Sequence, residues 1–392
     1  MKKLLLIAAF AAIVPYCADA AQTVFNDAES FAVAKAVKLG RGKAYKISGG
    51  QGYGKATFEE EKQCCEHCSN CDKKTGKCSD CESGYKLKNG KCEKEECGDS
   101  TYENVDMLKR NETVTGADMI LAMGGGKCCD ACKVLAEDLG KPLFTFPTIS
   151  SNCAPCTALA IMYNADGSFK NNFYSSRPPV CVFINDEIIA RAPIEYLQAG
   201  IGDALSKEAE VELALRHVKP DQNLLVGRAL CAACTEPLLQ YGAEALESCR
   251  EKRSSQALQE VALDIVISTG LVSNMTVCPE FYYNTNLAHC FYYGATIFPA
   301  SHKYLHGFLV AFGVLALLDY DGQDDLRDRV MAFYKQTGLP VTLAEVGLTP
   351  DDMPALIAKA TKVPGWHVEG YDLDADRFRR SIEHVDALGK SL

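Results

Sequence analysis

The stretch Met119-Ile120-Leu121-Ala122-Met123-Gly124-Gly125-Gly126-Lys127-Cys128-Cys129-Asp130-Ala131-Cys132-Lys133 decides how this chain is read. Met119 to Met123 is a short apolar run of the kind that forms a buried strand. Three glycines follow it. Cys128 to Leu139 then carries helical spacing at Cys132, Val134, Leu135 and Leu139, with Gly140 placed to end the helix. A strand that passes into a helix through glycines lets the backbone approach a pyrophosphate closely. The helix amino terminus adds unpaired N–H groups and the positive end of a dipole. Lys127 can supply a point charge there. The stretch is not a P-loop, because the spacing and the Ser/Thr for magnesium are missing. A plain tight turn is the alternative reading of the same glycines.

Working outward, Leu143 to Phe146, Ala158 to Tyr163 and Val180 to Ile184 read as further strands, and Asn164-Ala165-Asp166-Gly167 as a turn. Strands alternating with helices predict a parallel sheet whose ligand sits at the carboxyl ends of its strands. From about Pro193 the pattern becomes helical, with faces at Leu258, Val261, Ala262, Ile265 and Val266 and at Leu309, Phe312, Leu315 and Leu317. The fold class expected is an α/β dinucleotide-binding domain over 21–193 followed by an all-α helical domain over 194–392. The cleft between them is the expected active site.

The amino-terminal quarter has a different composition. Of the 20 cysteines in the 392-residue chain, Cys64, Cys65, Cys68, Cys71, Cys78, Cys81, Cys92 and Cys97 crowd together. Residues 61–97 have almost no aliphatic side chains and read as a small cysteine-rich insert in the first domain. Such a segment must be held by cross-links or metal. Disulfides are one reading, and zinc in Cys68-x2-Cys71-x6-Cys78-x2-Cys81 is another. The spacing of an iron–sulfur run is absent. The pairs Cys129/Cys132, Cys153/Cys156 and Cys231/Cys234 lie in apolar helix or loop text and are expected to pack as ordinary thiols.

Residues 1–20 read as an export signal, with Lys2 and Lys3, an apolar core from Leu4 to Val14, and the cleavage pattern Ala18-Asp19-Ala20. The expected location is exported or periplasmic, and cytoplasmic if the signal does not function. Phe308 to Leu318 is apolar but too short to span a bilayer and reads as a core helix, so no membrane partner is expected of the mature chain. The net charge of −10 gives no basic excess for a phosphate backbone, which argues against a nucleic-acid partner.

One acid–histidine set stands out: Asp203 in Gly200-Ile201-Gly202-Asp203-Ala204, His289 in Leu287-Ala288-His289, and His306 in Tyr304-Leu305-His306-Gly307. Two imidazoles, one carboxylate and an open position make a catalytic metal site. In one straight helix the two histidines would stand about 25 Å apart. They can meet only if the chain doubles back, and Gly294 and Pro299 between them permit that.

The span from about Gly98 to Lys362 resembles the iron-containing alcohol dehydrogenase superfamily, closest to its glycerol dehydrogenase branch. The motifs that carry the resemblance include Thr101-Tyr102-Glu103-Asn104-Val105, Gly124-Gly125-Gly126-Lys127 with Asp130, and Pro147-Thr148-Ile149-Ser150-Ser151. They continue with Gly200-Ile201-Gly202-Asp203-Ala204, Ala288-His289, and His306-Gly307 with Val310-Ala311-Phe312-Gly313. The resemblance implies that Asp203, His289 and His306 are metal ligands, for Zn2+ in the glycerol branch and Fe2+ elsewhere. It implies a pyrophosphate loop at Gly125, Gly126 and Lys127 with Asp130, and further NAD contacts at Thr148, Ser151, Thr157, Leu159 and Tyr163. The implied chemistry is a Lewis acid acting on an alcohol or polyol oxygen while a hydride passes to NAD. A homo-oligomer is compatible with it.

This chain departs from that pattern at three places. A substrate-binding aspartate of glycerol dehydrogenases falls at Cys153, a further histidine falls at Tyr292, and polar residues after the last ligand are replaced by Phe308 and Leu309. Thr23 to Gly50 aligns only weakly with the family's first strand–helix unit. The competing reading is an exported binding or surface module on a degenerate dehydrogenase scaffold. A glycerol-1-phosphate dehydrogenase or a dehydroquinate-synthase-like lyase is the nearer alternative. Either would need cations for a substrate phosphate, and no Lys/Arg cluster stands in the motif regions of the helical part.

Overall fold

The computed structural model describes residues 99–165, 168–277, 281–368, 370 and 372–392, together with the backbone of short strands before residue 99. The side chains of residues 1–20, read as an export signal, and of Cys64 to Cys97 therefore lie outside the described residues. Upstream, the backbone of Leu5–Ile7 runs parallel beside Ile120–Ala122.

Strand β1 (Ile120–Gly124) and β2 (Leu143–Pro147) pair in parallel, from Ile120 beside Leu143 to Gly124 beside Pro147. The short strand Cys181–Val182 extends the same sheet beyond β2. Helix α1 (Gly126–Asp138) follows β1 directly, with Gly125 as its N-cap. It ends at Leu139, and Gly140 takes the left-handed φ of 62° that only glycine adopts without strain. Ile120, Ala122, Cys129, Val134, Leu135 and Leu143 bury together between α1 and the sheet.

Leu159–Tyr163 is a strand, as expected, but it is not part of the parallel sheet. It pairs antiparallel with Phe169–Tyr174, which the sequence reading did not identify. The reason is the turn between them: Asn164 donates its backbone N–H to Ser168 at 2.8 Å, and its side chain meets the Ser168 hydroxyl at 3.0 Å. A turn this short can only return the chain antiparallel, because a parallel neighbour needs a crossover of a dozen or more residues.

The remainder is helical. Helix α2 (Ile194–Ala204) runs into α3 (Ser206–Leu215), and α4 (Gln256–Leu263) continues through a π-helical segment, Asp264–Ser268, into α5 (Thr269–Thr276). Leu258, Val261, Ala262, Ile265 and Val266 are all fully buried, so the face read from the sequence is the core face. Helix α6 (Leu287–Ala295) and α7 (His306–Asp321) complete the centre. From Leu309 to Leu318 every residue of α7 is buried, as befits a helix that is apolar all round. Among the described residues no helix is long and apolar enough to cross a membrane.

Candidate active site

Two close approaches build the site. A Cβ on Gly307 would lie 1.8 Å from the carbonyl oxygen of Ala199, so the start of α7 rests directly on the backbone of α2. A Cβ on Gly200 would lie 2.2 Å from the carbonyl oxygen of Ser150, so the other side of α2 rests on the loop that follows β2. Helix α2 is thereby clamped between α7 and the loop carrying Thr148 and Ser151, with Asp203 in its last turn.

His289 stands in the first turn of α6 and His306 opens α7. The chain doubles back between them at Pro299, whereas Gly294 lies inside α6, packed against Leu356. A 3-10 turn at Pro299–Ser301 makes the reversal, and the Ser301 hydroxyl closes it by donating to the carbonyls of Ala295 and Phe298 at 2.7 and 2.8 Å. The histidine ring centres come within 5.3 Å of each other. Nε2 of His306 lies 3.2 Å and Nε2 of His289 3.5 Å from Oδ1 of Asp203. One ligand atom from each of the three lies within 4.8 Å of the other two.

Glu210, which the sequence reading did not single out, orients this set. It is fully buried, and its Oε2 meets Nδ1 of His289 at 2.8 Å. Its Oε1 accepts the backbone N–H groups of Asn286 and His289 at 2.8 and 3.1 Å. Glu210 accepts at Nδ1, so Nδ1 carries a hydrogen and Nε2 is the nitrogen turned toward Asp203. Burial works against charge on His289, but Glu210 and Asp203 outweigh it and raise its pKa to about 9. Burial also opposes ionisation of Asp203. Lys207 and hydrogen bonds from the two histidines prevail, holding its carboxyl well below the usual range.

Lys207 was likewise missed. Its side chain is buried, only 5% of the residue is exposed, and Asp203, Cys153, Glu210 and Cys234 surround it. The legible signal was the spacing: Asp203, Lys207 and Glu210 fall at 0, 4 and 7 and share one helical face. Cys153 is half-buried beside Lys207, Asp203 and Thr269, and burial pushes its thiol up. The ring of Tyr292 meets that of His306 edge-on with centres 4.2 Å apart.

The residues expected from the sequence to contact a dinucleotide divide into two groups. Asp130, Thr157 and Leu159 form a buried knot around Lys133, whose Nζ donates to Asp130 and Thr157 at 2.9 Å each and to the Leu159 carbonyl. The second Asp130 oxygen accepts the backbone N–H of Ile161 at 3.1 Å. The Asp130 carboxylate is thus committed to joining α1 to the strand Leu159–Tyr163. Gly125, Gly126, Thr148, Ser151 and Tyr163 are half-buried, and Lys127 is exposed. Lys127 lies over the Tyr163 ring at 5.6 Å and reaches Asp99 at 3.3 Å. Thr148 donates its backbone N–H to the carbonyl of Gly124 at 3.1 Å, which joins the two loops. Cys129, Cys132, Cys156, Cys231 and Cys234 are buried as the sequence reading expected, whereas Cys153 borders the site.

The arrangement can hold one divalent cation on two imidazoles and a carboxylate. A helix amino terminus and a glycine turn stand ready for a phosphate nearby. Residues 71–185 match the model of a family described as iron-containing alcohol dehydrogenase. The chain is 36% identical over 273 residues to a glycerol dehydrogenase of Thermotoga maritima, covering 68% of this chain and 72% of that protein. It is 32% identical over 275 residues to hydroxycarboxylate dehydrogenase A of Escherichia coli, covering 69% and 75%. Its fold is similar to the crystal structure of glycerol dehydrogenase from Schizosaccharomyces pombe, with a TM-score of 0.66, 26% identity and 75% of each chain covered.

Proposed function

Since the chain belongs to the iron-containing alcohol dehydrogenase family, we propose that Asp203, His289 and His306 hold the divalent metal of an NAD-linked alcohol or polyol oxidoreductase. The observation that carries this is the convergence of those three donors from three helices. The donor set fits such an ion, because Glu210 fixes one imidazole with its Nε2 inward and two imidazoles with one carboxylate suit zinc or ferrous iron. Zinc is the metal we favour. When bound, the metal supplies a Lewis acid that stabilises negative charge on the alcohol oxygen.

The chain's own residues do the rest. The amino terminus of α1 at Gly125 and Gly126 receives the pyrophosphate of NAD, and Lys127 swings from Asp99 to meet it. Thr148 and Ser151 line the same loop, and Tyr163 offers a ring face. The knot of Asp130, Thr157, Leu159 and Lys133 acts at one remove by fixing the strand that carries Tyr163. Cys153 and Tyr292 bound the substrate position beside the metal ligands. The names of the relatives bracket the substrate between a neutral polyol and a hydroxycarboxylate.

The division at about residue 193, the cysteine-rich insert over 61–97, assembly into a homo-oligomer and export directed by residues 1–20 are further parts of this proposal. The pairing of Leu5–Ile7 with Ile120–Ala122 is the observation behind the other reading of the first residues, in which they are retained. Amino-terminal sequencing of the mature chain separates the two.

The deciding experiment is NAD reduction by the purified protein with polyols, diols and primary alcohols, run with zinc, with ferrous iron and with a chelator. Metal-dependent reduction is expected. No reduction with either metal, together with no NAD binding, would transfer the chain to the class of binding modules on a degenerate dehydrogenase scaffold.

A further inference from the structure

Every charged group at the site makes a direct contact except one. Asp203 faces the two histidines, and Glu210 is taken up by His289 and the backbone N–H groups of α6. Lys207 lies among these groups, buried, with no hydrogen bond or ion pair to any described residue. Asp203 and Glu210 act on its charge without touching it, so the N–H donors of the ammonium stay free for a ligand. Cys153 beside it brings no charge, since burial keeps that thiol protonated.

The charge balance points the same way. A divalent cation would add two positive charges to a site holding Lys207, Asp203 and Glu210, which leaves one positive charge in excess. Asp203 stands in the last turn of α2 and Lys207 in the first turn of α3, close enough that each acts on the other's charge. Two groups on adjacent carbons of a small substrate can meet both ends of such a pair.

Resting on the dehydrogenase reading above, we propose that Lys207 determines substrate class by pairing with a carboxylate, and that the substrate is a 2-hydroxycarboxylate. Its hydroxyl occupies the position beside Asp203, His289 and His306, and its carboxylate meets the Lys207 ammonium. The reaction balances with NAD alone. The C–H bond at carbon 2 breaks and its hydride passes to NAD, the hydroxyl proton is released, and a 2-oxocarboxylate forms.

The test compares lactate and 2-hydroxybutyrate with 1,2-propanediol on the zinc-loaded protein, reading kcat/KM for each. The hydroxy acids are expected to exceed the diol at least tenfold. Lys207→Met should lower the acid-to-diol ratio tenfold or more, and Lys207→Arg should retain most of it. Cys153→Asp, which places an anion beside Lys207 without removing it, should lower the ratio as well. Calorimetry with oxamate, an unreactive carboxylate, gives a readout free of turnover, and its Kd should rise at least tenfold in Lys207→Met. A wild-type preference for the diol, or a ratio and an oxamate Kd unchanged in both Lys207→Met and Cys153→Asp, overturns the proposal while leaving the dehydrogenase reading in place. Failure of every alcohol and acid to reduce NAD overturns both.

Discussion

Glu210 is fully buried and meets Nδ1 of His289 at 2.8 Å, so the orientation of this imidazole is set from behind, away from the cleft. The same carboxylate gathers the backbone N–H groups of Asn286 and His289, which fixes the first turn of α6 as well as the ring. Glu210→Gln keeps the volume but can donate to Nδ1, which would turn the ring's hydrogen toward the metal position. Zinc affinity is expected to fall 10- to 100-fold, the usual cost of losing such a support. Competition with a chromophoric chelator measures it. Wild-type affinity in a folded Glu210→Gln protein would show that the contact serves only the fold.

The two histidines should respond differently to truncation. The His306 side chain is 39% exposed, while that of His289 is 9% exposed against a Glu210 side chain with no exposure at all. Both alanine variants should lose stoichiometric zinc. His289→Ala also leaves a buried carboxylate short of its partner, which costs about 3 kcal/mol when a buried pair is broken. Thermal unfolding of the metal-free proteins should therefore place His289→Ala well below His306→Ala. Equal midpoints would mean that Glu210 is satisfied by the backbone of α6 alone.

Gly307→Ala tests the clamp on α2. The added methyl would need to occupy a point 1.8 Å from the carbonyl oxygen of Ala199, and neither backbone can yield without separating α7 from α2. Separation moves His306 away from Asp203. A loss of about 3 kcal/mol is expected from such overpacking, together with weakened zinc binding. Chemical denaturation with parallel metal analysis checks both. A variant with wild-type stability and zinc content would show that the helices part without disturbing the ligands.

Much of this was legible from local pattern. The glycine turn between β1 and α1, the helix stop at Gly140 and the buried face from Leu258 to Val266 each depend on residues near one another in sequence. The reversal between His289 and His306 was foreshadowed by Pro299, while Gly294 proved to be a packing position inside α6. The pairing of Leu159–Tyr163 was not legible, because an apolar strand looks alike in a parallel sheet and in a hairpin until its partner is known. Lys207 and Glu210 were passed over for a different reason. A Lys and a Glu on a helix are most often solvent-facing, and only the packing of α6 and the loop at Cys153 over α3 shows that these two are buried.

Asp264 gives the fold a pH dependence of its own. It opens the π-helical segment between α4 and α5, is 2% exposed, and has no hydrogen bond of ordinary geometry at either carboxyl oxygen. Burial pushes its pKa from 3.8 up to about 7, with Ser268 and Cys234 beside it pulling weakly the other way. The folded protein therefore holds this proton more tightly than the unfolded chain. Below pH 3.8 both states are protonated and the burial costs nothing extra. As pH rises toward about 7 the unfolded chain ionises first, so stability falls through that window and the full cost stands above it. Asp264→Asn keeps the shape and removes the charge. At pH 8 it should stabilise the protein by on the order of 2 kcal/mol, and the gain should shrink toward zero at pH 4. Denaturation midpoints of the two proteins across that range decide the matter. A gain independent of pH would mean that Asp264 is already neutral, or already paired, throughout.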